Sequence, residues 1–145
     1  MNPLLLEILP YVHQGYCCSQ LLILLSLRLL GRESPDLLQA SRGLCYGLGQ
    51  SNGPCGLLTG GACALALFSA EKSPEGEANS QAIINDYALW FAEEVAPFGG
   101  INCEQVALGL GLEAGSPNPI ACGQLLCACY EKIINLLSDY ELLPA

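Results

Sequence analysis

The chain has 145 residues, a length that suits one domain, and 52% of them are hydrophobic against 13% charged. Its net charge of −9, with only five basic residues, argues against nucleic acid and anionic membrane surfaces as partners. The apolar share is high for a monomer of this size and predicts that a partner covers part of the surface, with a homodimer as the expected arrangement.

Pro3 opens a first helical stretch over about 4–13, which Pro10 is expected to kink or divide and Gly15 to end. A second helix, capped by Ser19 or a neighbour, runs to residue 30, where Gly31 closes it. Its uncharged run, 21–27, is far short of the ~20 residues that span a bilayer, and Arg28 interrupts it. The opening "MNPLLLEILP" lacks the basic region and cleavage site of a secretory signal, so a soluble, cytoplasmic protein is expected. Ser34 and Pro35 start a short helix ending near Gly43.

"GQSNGPCGLLTGGACAL" (49–65) then joins a turn to a helix of about 55–69. "EKSPEGEANS" (71–80) reads as an exposed loop. Ile84, Tyr87, Ala88, Phe91 and Val95 recur at helical spacing, and "PFGG" stops that helix. Tyr87 and Trp90 are expected in the core or at a dimer interface. Asn102 caps a short helix over 103–110, "GLEAGSPNP" is a loop, and the last helix covers about 120–140. No convincing strand or fixed repeat occurs. The expected fold is all-α, a single domain over 1–145 with six or seven helices around one core.

Nine cysteines carry the chemistry, and their spacing excludes several sites. No pair is spaced C-x-x-C. That removes a thioredoxin-type redox pair, a zinc ribbon and c-type haem attachment. His13 is the single histidine, so mixed sites needing two are excluded, and it is the one imidazole that a thiolate nucleophile could use. On a helix, Cys122 and Cys129 fall about 20° apart and Cys127 about 140° from Cys122. Cys17, Cys45, Cys63 and Cys122 are read as small packed hydrophobes. Cys55 differs. In the first turn of a helix it faces unpaired backbone N–H groups, which favour thiolate, and Gly53 and Gly56 keep its surroundings open.

Four segments, "GYCCSQ", "GPCGLLTGG", "GINCEQVALG" and "CACYEKIINLL", resemble a family described as redox-active and named for its cysteine pattern, C_GCAxxG_C_C. The resemblance runs from about residue 15 to 137. It maps the family cysteines onto Cys18, Cys55, Cys103 and either Cys129 or Cys127, with Cys129 preferred. Gly60 stands for the glycine closing the motif. The chain departs from the family name, with Pro54 before Cys55, Gly56 after it, and Gly60 one residue late. The resemblance implies a redox-active or electron-transfer protein whose four thiols converge, with a separate redox partner protein. They would hold a [2Fe–2S] cluster or another metal such as zinc, or cycle between dithiol and disulfide. A similar domain in split-Soret cytochromes accompanies an iron–sulfur centre and haem, of which only the former transfers here. The competing reading is a helical binding or assembly module whose cysteines are core filler.

Overall fold

A computed structural model describes residues 2–72, 77–112 and 122–144. Asn2 accepts the Leu4 N–H through its side chain at 2.9 Å and starts α1, Pro3–His13, with Pro3 at the first turn. Pro10 lies inside α1 without dividing it. The chain then bends by 118° into α2, Cys18–Leu30. Gly31 closes α2 in the left-handed conformation, φ 68°, as its position predicts. Pro35–Ser41 is α3, followed by a 3₁₀ turn, Arg42–Leu44.

The remaining helices are α4, Gly56–Lys72, α5, Glu77–Val95, α6, Cys103–Gly109, and α7, Gly123–Asp139. Among the described residues there is no strand, only an isolated antiparallel bridge between Pro54 and Asn102. The fold is all-α. Part of 71–80, expected as a loop, is helical: α4 continues to Lys72 and α5 starts at Glu77, while 73–76 lie outside the described residues. Glu71, Lys72, Glu77 and Ala78 are ordinary helix formers, and the polar composition of the segment concealed them. Most of the expected loop "GLEAGSPNP", 113–119, also lies outside the described residues.

α4 is the central element, packed against α2, α5 and α7. Two adjacent glycines let it approach its neighbours. A Cβ on Gly60 would lie 2.6 Å from Ser19 Cα on α2, and one on Gly61 would strike the ring of Tyr87 on α5. Around this contact Leu21, Leu22, Leu57, Leu65, Phe68, Ile83, Tyr87, Phe91, Leu126 and Ile133 are buried. Each such side chain contributes about 1.5–3 kcal/mol on leaving water. The pairing of α2 with α4 fixes the N-terminal ends of both helices side by side, and the cysteines sit at those ends.

Candidate functional site

Cys17 has extended backbone, φ −96°, ψ 177°, and caps α2, its N–H donating to Gln20 Oε1 at 3.2 Å. Cys18 is the first residue of the helix. The two neighbours reach different partners. Cys17 forms a disulfide with Cys45, Cα to Cα 5.9 Å, and both sulfurs are buried. These two were expected as packed thiols. They are packed, but they are also bonded to each other across 28 residues, a separation that carries no pattern in the sequence. Ser19 stands over this bond. Its Oγ donates to Ser41 O at 3.1 Å and lies 3.1 Å from Cys17 Sγ and 3.6 Å from Cys45 Sγ.

After Cys45 the backbone makes one turn of left-handed helix. Tyr46, Gly47, Leu48 and Gly49 have φ between 57° and 72°, and Gln50 continues at 67°. For Tyr46, Leu48 and Gln50 that conformation costs roughly 1–2 kcal/mol each. The turn is held by Gly53 N–H donating to Gly47 O at 3.0 Å and Ser51 Oγ donating to Leu48 O at 2.9 Å. It presses on the next segment, since a Cβ on Gly47 would lie 2.8 Å from both Cys103 Cβ and Gly53 O. The Pro54–Asn102 bridge then ties Cys55 to Cys103: Cys55 N–H donates to Ile101 O at 2.8 Å and Cys103 N–H to Gly53 O at 2.9 Å. Strained backbone of this kind clusters at functional sites.

The free thiols fall into two sets. Cys18, Cys55, Cys103 and Cys122 feel one another's charge. A hydrogen bond between Cys18 and Cys122 holds the Cys18 thiol well above its usual range, aided by burial and by the other three sulfurs. The same bond pulls Cys122 below the ordinary thiol value, against the opposing effect of burial. Cys103 is raised, by burial first and then by Cys122.

Cys55 is only 4% exposed, and burial pushes it up to about 12 despite the backbone N–H groups of Leu57 and Leu58 that favour its thiolate. The expectation of an open, thiolate-favouring position is therefore corrected. The helix end is there, but desolvation outweighs it.

In the second set, Cys129 is fully buried on α7 and is raised to about 12 by burial, against the opposing influence of the neighbouring Tyr87 hydroxyl. It senses the first set only through Cys55. The Tyr87 hydroxyl donates to Leu57 O at 2.7 Å. Cys127 is half-buried and Cys63 exposed, each thiol raised by burial. Of the residues expected in the site, Cys18, Cys55 and Cys103 are electrostatic neighbours of one another and of Cys122. Cys129 on α7 is linked to them through Cys55, and Cys127 lies half-buried on the same helix.

Gly56 approaches Leu44 O, where a Cβ would sit at 3.3 Å, and Gly60 approaches Ser19. Both glycines therefore position the site without entering it. Tyr46 was not foreseen at all. Its hydroxyl is raised by burial and by the charges of Cys18, Cys103 and Cys122, while Arg42 lowers it. Cys122 had one legible signal, its shared helical face with Cys129 two turns on. Tyr46 had none.

Residues 16–136 match the family model described as "Putative redox-active protein (C_GCAxxG_C_C)". The chain belongs to this family. No curated protein and no solved structure is matched by the chain. The C_GCAxxG_C_C match covers all four sulfurs of the first set as well as the Cys17–Cys45 disulfide, so the redox-active description falls on the part of the molecule where the thiols lie. Whether a C_GCAxxG_C_C protein of this geometry suits a metal depends on donor spacing. Among the described residues no group of three or more His, Cys, Asp or Glu side chains is arranged to hold a metal ion. The four thiols are electrostatic neighbours at the starts of four different helices.

Proposed function

We propose that this protein transfers two electrons by thiol–disulfide exchange, with Cys122 as the attacking thiolate and Cys18 as the thiol that resolves it. The observation that carries this reading is the pairing of two thiols from different helix starts, Cys18 and Cys122, each perturbing the other's titration, with the Cys122 thiol below its ordinary range. A nucleophile needs thiolate character at neutral pH, and a neighbouring thiol that donates to it supplies that character. The adjacent Cys17–Cys45 disulfide supports the reading, because it puts an oxidised pair and a reduced pair at one helix end.

In the forward direction the Cys122 thiolate attacks one sulfur of a partner disulfide. The partner's S–S bond breaks, its second sulfur leaves as thiolate and takes a proton, and a mixed disulfide remains on Cys122. Cys18 gives up its proton and attacks the Cys122 sulfur. The remaining partner thiolate leaves, so the partner has gained two electrons and Cys18–Cys122 has become a disulfide. A dithiol reductant returns it to the starting state by the same steps reversed.

Glutathione disulfide serves as a probe oxidant. The Cys18→Ala variant is expected to accumulate a mixed disulfide on Cys122, seen by mass as one glutathionyl adduct mapped to the peptide containing that residue. Cys122→Ala is expected to lose most of the exchange rate. Wild-type rates in both variants would sink the assignment.

A further inference from the structure

We propose that the cavity between α1, α2 and α3 binds a small organic molecule carrying an oxyanion, carboxylate or phosphate, on a planar ring. This proposal does not depend on the redox reading. The cavity measures about 570 Å³, within the range of small-molecule sites.

Its lining gathers Arg28, Arg32 and Arg42, three of the five basic residues in a chain of net charge −9. Two carboxylates act on them: Glu33 shares the wall, and Glu7 is paired with Arg28. In a protein this acidic, most of the surface repels an anion, and clustered guanidinium groups make one place where it is attracted. Arg28 is already positioned: its Nη1 donates to Glu7 Oε1 at 2.9 Å, its Nη2 meets the Tyr11 hydroxyl, and its carbon lies 4.8 Å from the Tyr11 ring centroid.

The guanidinium fork matches carboxylate and phosphate oxygens two at a time, which selects an oxyanion over a halide-like point charge. Tyr11 and Tyr16 supply the other half of the recognition. Their rings lie 5.6 Å apart, tilted by 55°, and both line the cavity. Flat aromatic faces next to guanidinium groups suit a ligand with a ring attached to its anionic group.

Titration calorimetry with four probes tests this. Adenosine 5′-monophosphate carries phosphate on a ring, benzoate carries carboxylate on a ring, inorganic phosphate lacks the ring, and adenosine lacks the anion. Saturable one-to-one binding of the first or the second is expected, and which of the two binds more tightly identifies the oxyanion. Arg42→Gln and Arg32→Gln should each weaken it roughly tenfold, and Glu33→Gln should strengthen it, because it removes an opposing carboxylate. All three side chains are exposed, and unchanged circular dichroism shows that the variants fold. The proposal is overturned if neither ring anion binds, if adenosine or inorganic phosphate binds as tightly as the ring anions, or if the arginine variants bind like the wild type.

Discussion

Ser19 Oγ has one proton, and it goes to Ser41 O. Its lone pairs therefore face Cys17 Sγ and Cys45 Sγ as acceptors. A disulfide has no proton to offer them, whereas the two thiols formed on reduction do. The hydroxyl thus stabilises the reduced state more than the oxidised one. Ser19→Ala should shift the Cys17/Cys45 equilibrium toward disulfide by roughly two- to fivefold, since S–H is a weak donor and the gain is about 0.5–1 kcal/mol. Equilibration in glutathione buffers followed by quenched mass analysis reads this ratio, and a shift toward dithiol would refute the argument. The pH behaviour of Cys122 follows the same logic of donors. Its lowered value means that thiolate persists at pH values where an ordinary thiol is protonated. Removing the donor with Cys18→Ala raises that value, so iodoacetamide labelling of Cys122 should begin at higher pH than in the wild type. Labelling at unchanged pH would show that Cys18 is not the cause.

Several helix starts carry a cysteine of the site. Cys17 and Cys18 open α2, Cys55 precedes α4, Cys103 opens α6 and Cys122 precedes α7. Helix N-termini present unpaired N–H groups and the positive end of the peptide dipoles, so these elements aim favourable potential at the sulfurs. The helices were legible because apolar periodicity, Gly31, Ser34–Pro35 and Asn102 follow ordinary rules of packing and capping. The left-handed turn was not legible. Gly47, Gly49 and Asn52 tolerate positive φ, but Tyr46, Leu48 and Gln50 adopt it only because tertiary contacts impose it. Two substitutions separate its conformation from its packing. Gly49 has φ 72° and open space around a Cβ, so Gly49→Ala should cost about 1 kcal/mol from backbone strain alone. Gly47→Ala adds a collision with Cys103 and Gly53 and should cost at least about 2 kcal/mol, with a changed Cys103 alkylation rate. Denaturant melts give both numbers. Equal losses would mean that the turn does not bear on Cys103.

Across the whole molecule, an all-α fold follows from composition and periodicity, whereas the grouping of the sulfurs depends on contacts distant in sequence. Cys18 and Cys103 could be singled out through the family resemblance, and Cys55 through that and its place at a helix start. Cys122 looked like core filler, because a sequence does not show which end of α7 meets α2. The Cys17–Cys45 bond was hidden for the same reason: the 3₁₀ turn carrying Leu44 packs against α2 and α4 and delivers Cys45 to the start of α2. That bond also ties the first half of the fold together. It closes a 28-residue separation, for which the loss of chain entropy in the unfolded state gives about 3–4 kcal/mol of stabilisation. At this chain length that corresponds to about 10 °C in Tm. Cys45→Ala should lower Tm by about that amount under non-reducing conditions, and wild-type protein fully reduced with dithiothreitol should fall by a similar margin. Because the variant has already lost the bond, the same reductant should leave its Tm unchanged. If reduction leaves the wild type as stable as before while the variant still melts early, the lost stability belongs to the packing of the Cys45 side chain, and the disulfide is not what holds the start of α2 in place.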